Sequence, residues 1–446
     1  PARSLAGRPL LVDLSSSRRF QMSRDRNHRG NRRKRSPPAR GQSQDRSKRG
    51  PASEWARSPG GSSARDDSAA AEERAENHYM VRVGDRFDGG QLEVVRELGK
   101  GTFGRVVEMS ERGSGALCAV KVVRAVSKYR DEAQVEADIL REVQARLPSD
   151  SAVPICRLHR TFTERGHFCI VLDRLGSSLY DVLRRRRRQL EVGGGRSGVG
   201  AYFSLPRVAA IGADCFLALS HLHRLGLTHT DLKLENVLFA STAEPAGEMP
   251  TASAVRLVDF GGATWRDERT GGSIVCTRQY RPPEVTLGLG WSHAVDVWSM
   301  GCILAELWTG ELLFRTHDEV EHFALMERLL GSLPPHMLRA AADRSRSMEK
   351  NVRHGALRWP DRAHDRRSEA HVRSQPRLRD VLFGPREARR GGGGEDEPPG
   401  GARELQRLYE LLLGCLEYEP DQRLTAADAL KQPFLAPHTA PLPPPA

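Results

Sequence analysis

The chain has 446 residues, is 38% hydrophobic and carries a formal charge of +12, which suits one large two-lobed domain or two to three ordinary ones. It has no run of 18 or more apolar residues and no apolar leader of signal-peptide type, so neither a membrane-spanning helix nor secretion is expected. Seven scattered cysteines without a C-x-x-C pair argue for free thiols inside a cell, and against a disulfide framework or a zinc site.

The first residue is Pro1, not Met, as expected of a trimmed or partial chain. Residues 1–79 hold 18 of the 69 basic residues and nine of the 57 acidic ones, so most of the net charge lies there. They are rich in Arg, Ser, Gly and Pro and read as a disordered basic tail. The run Arg32-Arg33-Lys34-Arg35 fits a nuclear-import signal or a contact with RNA or acidic partners, beside the plainer reading of a solvated tail.

From residue 80 the composition changes. Residues 79–125 show β-branched runs broken by glycine turns, as antiparallel strands do. The stretch "YRDEAQVEADILREVQARL" has helical spacing, with Val135, Ile139 and Leu140 on one face, and "FCIVLD" reads as a short buried strand. Long amphipathic helices dominate from about 205, so a strand-rich part precedes a helix-rich part. "DVWSMGCILAELWTG" reads as a central buried helix. Residues 184–203, which open with Arg184 to Arg188, and residues 240–253 and 386–403 read as mobile insertions, and 439–446 as a Pro-rich tail. Cys276 is expected on an exposed loop.

The chemistry-bearing residues also come in order. "ELGKGTFGRVV" offers Gly99, Gly101, Gly104 and Val106. Glycines let a backbone turn approach phosphates and aim N–H groups at them. Strand-like sequence follows, which favours a hairpin over phosphates and argues against a dinucleotide site, where a helix should follow. Lys121, in the apolar strand "CAVKVV", needs a carboxylate partner; Glu136 is the better choice and Glu132 the lesser. In "HTDLKLEN", Asp231 would orient a substrate hydroxyl, Lys233 would neutralise charge and Asn236 would hold a metal; His229 is expected to pack. Asp259 opens D-F-G and would also bind metal. Glu284 of P-P-E should pair with Arg423, and Asp296 should bond backbone of the catalytic loop.

These motifs, in this order and spacing, resemble those of eukaryotic protein kinases over roughly residues 80–440. Within that group "THTDLKLENVLF" and "EHFALMERLLG" resemble the LAMMER (Clk-like) dual-specificity kinases; Phe323 and Leu325 depart from the signature. The resemblance implies an α+β two-lobed fold, with an N-lobe at about 80–172 and a C-lobe at about 176–438. It implies ATP and Mg²⁺ as cofactors, with Val106, Ala119, Leu172, Asp173, Leu175 and Leu238 at the nucleotide. It implies a monomeric enzyme of the nucleus, and also of the cytoplasm, acting on Ser and Thr of Arg/Ser-rich splicing factors, with Tyr autophosphorylation. Glu235 and Thr277 would meet the substrate, and Asp181 is a weaker candidate. The Arg184–Arg188 run would repel such substrates unless it points away or binds nucleic acid. As a helix, "EHFALMERLLG" should bury Phe323, Met326, Leu329 and Leu330 and carry no catalysis. A pseudokinase scaffold and an RNA-associated protein acting through its tail remain the competing readings. Thr230 stands where many kinases have the Arg that grips an activation-loop phosphate, so the segment from Gly261 to Pro282 is expected to order without one.

Overall fold

The computed structural model describes residues 77–147, 153–192, 202–242, 255–268, 273–316, 318–384 and 401–439. The chain divides into two units, 1–60 and 61–446, and every described residue lies in the second. The Arg32–Arg35 run, Thr270 and most of the expected insertions at 240–253 and 386–403 lie outside the described residues.

Six strands form one antiparallel sheet in the order β1-β2-β3-β4-β6-β5. They are β1 (Arg86–Phe87), β2 (Leu92–Gly101), β3 (Gly104–Glu111), β4 (Leu117–Val123), β5 (Leu158–Glu164) and β6 (His167–Asp173). Side chains alternate across a strand. Val120 and Val122 thus enter an apolar layer with Phe87, Leu92, Val107, Met109 and Val171, whereas Lys121 takes the opposite face. Tyr79 belongs to that layer, edge-on to Phe87 at 5.1 Å. Packing therefore begins inside the segment read as tail.

Helix α1 (Ser127–Arg146) crosses between β4 and β5. Its buried stripe is Ala133, Glu136, Ala137, Ile139, Leu140 and Val143. Val135, expected on that face, is 56% exposed, because it lies too far round the helix from the 133–137–140 line.

The helical part comprises α2 (Leu179–Val192), α3 (Leu205–Leu225), α4 (Pro283–Thr286), α5 (Ala294–Thr309), α6 (Glu319–Leu330), α7 (Pro335–Arg344), α8 (Arg346–Asn351), α9 (Arg366–Ser374), α10 (Leu378–Phe383), α11 (Gly401–Cys415) and α12 (Ala426–Ala429). Two-residue β7 (Leu227–Thr228) pairs with β10 (Thr264–Trp265), and β8 (Val237–Phe239) with β9 (Val255–Leu257). α3 is long and apolar enough to cross a membrane by composition, yet 67% of that stretch is buried in protein, as in a core helix. α5 is buried along almost its whole length, as the sequence suggested. Its end at Gly310 has φ +76, and a Cβ there would meet Tyr202 at 2.0 Å, so only glycine fits. In α6, Phe323, Met326 and Leu329 are buried as expected and Leu330 partly so; the Asp318 carboxylate caps the helix through Val320 N and Glu321 N.

Two expectations are corrected here. Residues 184–192 are helical, and Tyr202 and Phe203 are buried, so the insertion does not start at 184. Leu179, Val182 and Leu183 anchor α2 in the core and carry the helix through the arginine run. Cys276 is 9% exposed, packed with Val285 and Val295, and burial pushes its thiol well up, so it is no reactive loop cysteine.

Candidate active site

The β8–β9 pair sets the centre of the site. Asn236 stands immediately before β8 and Asp259 two residues after β9, and Val258 N donates to Asn236 O at 3.1 Å. Asn236 Nδ2 donates to Asp231 O at 2.8 Å, which turns its Oδ1 to the other side of the amide. Asp231 is enclosed by donors: Thr277 Oγ1 to its Oδ1 at 2.7 Å, and Lys233 Nζ to its Oδ2 at 2.5 Å.

Asp296 holds this loop from beneath. Its oxygens accept from Thr230 N at 2.9 Å and His229 N at 2.8 Å, and His223 Nε2 lies 2.9 Å away. Burial works to raise its pKa, but the His223 bond and the charges of His223 and His229 outweigh that and hold it below the usual carboxylate range. His229 is fully buried and tilted against Phe260, as expected of a packing residue.

Lys121 Nζ meets Glu136 Oε2 at 2.6 Å and Asp259 Oδ1 at 3.7 Å. Burial alone would lower the Lys121 pKa; the charges of Glu136 and Asp259 overturn this, and the net shift is upward. Glu132 instead lies 4.0 Å from Lys128, near the surface.

Val106 faces Lys121 across β3 and β4, and Ala119 faces Leu172 across β4 and β6. A Cβ on Gly99 or Gly101 would meet nothing within 4 Å, so the space over that turn is open. Gly104, at φ +156, could not carry one, because Val122 O would be 2.2 Å away. Phe103 at the turn's tip packs edge-on to Tyr129 of α1 at 5.7 Å. Leu238 is half-buried in β8 and bridges to Ser178.

Asp173 ends β6 opposite Cys118 of β4. Its carboxylate meets His159 Nε2 at 3.0 Å and Arg157 N at 3.1 Å, and its own N–H donates to Arg157 O. The register shift between Leu158 and Arg160 brings β5 within reach of it. Leu175 O accepts from Arg174, whose other nitrogen bonds the buried Glu108. That tie between the segment after β6 and β3 was not foreseen. Asp181 accepts from Ser178 Oγ at 2.7 Å within its own helix start.

Thr230, at φ +68, donates from Oγ1 to Gly262 O at 2.6 Å. The β7–β10 pairing brings these two segments together. A neutral bond thus occupies the junction an arginine and a phosphate would otherwise close. Replacing Thr264, Thr270 and Ser273 together with Ala should leave kcat within about threefold, since the bonds of Thr264 to Gly262 O and of Trp291 Nε1 to Ser273 Oγ are neutral and worth ~1 kcal/mol each. A steady-state assay showing loss of nearly all activity would refute this.

Glu284 and Arg423 form a fully buried bidentate pair at 2.7 and 3.0 Å, as expected. Glu235 is exposed. Its charge reaches Tyr280 and the 4%-exposed Glu306, a residue sequence reading missed. Tyr280 OH donates to Glu306 Oε2 at 2.7 Å. Burial lifts Glu306 most; Tyr280 and Arg187 pull it down, Glu235 and Glu311 push it up, and it sits at about 7. The only hint in the sequence was a second acid, besides Asp296, in an otherwise apolar helix.

The family model described as "Protein kinase domain" matches residues 92–435. Serine/threonine-protein kinase AFC3 of Arabidopsis thaliana is 39% identical over 375 residues, covering 80% of this chain and 85% of its own length. Dual specificity protein kinase CLK2 of Homo sapiens is 36% identical over 380 residues, covering 82% and 68%. A crystal structure of a kinase domain is similar at a TM-score of 0.67 and 32% identity, over 80% of this chain and 99% of that one.

Proposed function

This chain belongs to the protein kinase family, in its LAMMER (Clk-like) branch, and on that premise we propose that it phosphorylates Ser and Thr in Arg/Ser-rich nuclear proteins, splicing factors among them, with Mg²⁺ as its metal. Protein kinases use ATP and a divalent metal and act on protein substrates. The residues fit both cofactors. The open space over Gly99 and Gly101, and the half-exposed Asp259 beside Lys121, suit a phosphate chain. Among the described residues no cluster of three His, Cys, Asp or Glu could hold a metal unaided. The pair Asn236 and Asp259 suits Mg²⁺, which keeps several waters and shares phosphate oxygens.

When bound, ATP supplies the γ-phosphoryl group and Mg²⁺ spreads its charge. In this reading Lys121, steadied by Glu136, holds phosphate oxygens. Asp231 accepts a hydrogen bond from the incoming hydroxyl, which competes with Thr277 for Oδ1, and Lys233 offsets charge beside it. Asp296 fixes the loop that carries them. Tyr autophosphorylation belongs to the same proposal.

The observation that carries the substrate class is the acid pair Glu235 and Glu306 on the side of the site where Thr277 and Tyr280 lie. A carboxylate pair suits a substrate guanidinium through charge-assisted bonds. Peptides with Arg next to the acceptor Ser should show a KM about tenfold or more below Ala-substituted ones. Glu306 binds a guanidinium as the carboxylate, so as pH falls from 8 to 6, through about 7, the KM for the Arg peptide should rise. Equal KM values for both peptides would sink the substrate reading. The run Arg32–Arg35 supports nuclear import and RNA contact. In the same assay a chain lacking residues 1–76 should keep its activity; a tagged copy that stayed in the nucleus would refute import through the tail.

A further inference from the structure

Arg187 belongs to the arginine run that seemed at odds with basic substrates. The run does not turn uniformly outward. Arg185 donates to Ser177 Oγ at 3.3 Å, and Arg186 bonds Tyr202 O and lies over the Phe203 ring. Arg187, half-buried, brings Nη2 to 3.9 Å from Glu311 Oε2, and its charge also acts on Glu306. Its Nε is buried without a hydrogen-bond partner. A guanidinium of the chain itself therefore stands beside Glu311, with its charge on Glu306 and a donor unspent.

We propose that Arg187 is a built-in competitor for these carboxylates, so that a substrate arginine engages them only by displacing the chain's own guanidinium. This rests on the Arg/Ser substrate reading above. Arg187 then sets the threshold for arginine recognition. One substrate arginine must beat a tethered rival, whereas several in succession offer repeated chances to do so. The rival is weakly held: one pair at 3.9 Å with a 66%-exposed Glu311, against a buried carboxylate it does not bond. Such a contact is displaceable. Arg187 also favours the ionised form of Glu306, because a cation nearby stabilises the carboxylate. The groups facing Glu306 are Tyr280 from the substrate loop, Glu235 from the catalytic loop, Arg187 from α2 and Glu311 just past α5.

Removing Arg187 thus has two separable effects. At pH 8.5, above the Glu306 value of about 7, Arg187→Ala and Arg187→Gln should each lower the KM for an Arg-containing peptide by about three- to fivefold. The change should lie in KM and not in kcat, and be absent with the Ala-substituted peptide. The midpoint of the KM–pH profile should move upward in both variants, and Arg187→Lys should restore the wild-type values. A merely structural role for Arg187 in α2 would alter both peptides alike and leave the pH midpoint in place. If wild type prefers the Arg peptide but neither variant changes that preference, the competitor proposal is overturned and the substrate reading stands. If wild type shows no preference, the substrate reading itself falls, and this proposal with it.

Discussion

Asp231→Asn should lower kcat by about 10²–10⁴-fold while the protein melts within a degree or two of wild type. The amide keeps an oxygen for one neighbour but turns an N–H₂ toward the other, so either Thr277 Oγ1 or Lys233 Nζ then faces a donor. The charge that orients the substrate hydroxyl goes as well. Lys121→Met should be as severe for a different reason. It leaves Glu136, 5% exposed, and Asp259 without their shared cation, and removes a donor to the phosphates. ATP affinity should suffer in Lys121→Met and be largely kept in Asp231→Asn. Peptide phosphorylation followed by radiolabel, with ATP binding by calorimetry, separates the two. Wild-type labelling by either variant would remove these residues from the proposed roles.

The second large effect concerns stability. Arg423→Ala should cost about 3–5 kcal/mol in urea unfolding. The side chain is wholly buried, and besides Glu284 it serves Glu417 O at 2.8 Å and Ala294 O at 3.0 Å, with its guanidinium over Trp298. Its loss strands a buried carboxylate and these carbonyls together. The double variant Glu284→Gln, Arg423→Met should recover part of the loss, since an unpaired charge costs more than an absent pair. A single-variant loss under about 1 kcal/mol would mean that water or a neighbouring group replaces the guanidinium.

Much of the site was legible because phosphate chemistry fixes residue types at fixed spacings. Lys121, Glu136, Asp231, Asn236 and Asp259 could be read from their resemblance to known motifs, and they converge through β4, α1 and the β8–β9 pair. What could not be read depended on register and on long-range packing. The tie of the Asp173 carboxylate to His159 depends on a shift in β5. Glu306 looked like a helix residue among others until Tyr280 and Glu235 closed on it. The arginine run looked like a solvated stretch because charge dominates its composition; three apolar residues ahead of it set the helix. Val135 failed for a smaller reason: a helical stripe read one position wide of its true centre.

The bond from Thr230 to Gly262 has a consequence for how output is set. A hydroxyl and a carbonyl carry no net charge, so added salt does not loosen their contact. No phosphatase can remove it. If the triple alanine chain keeps its activity, the enzyme works from the moment it folds. Its throughput in a cell is then governed by synthesis, turnover and the supply of protein substrate, and not by a chemical mark written on its own activation segment.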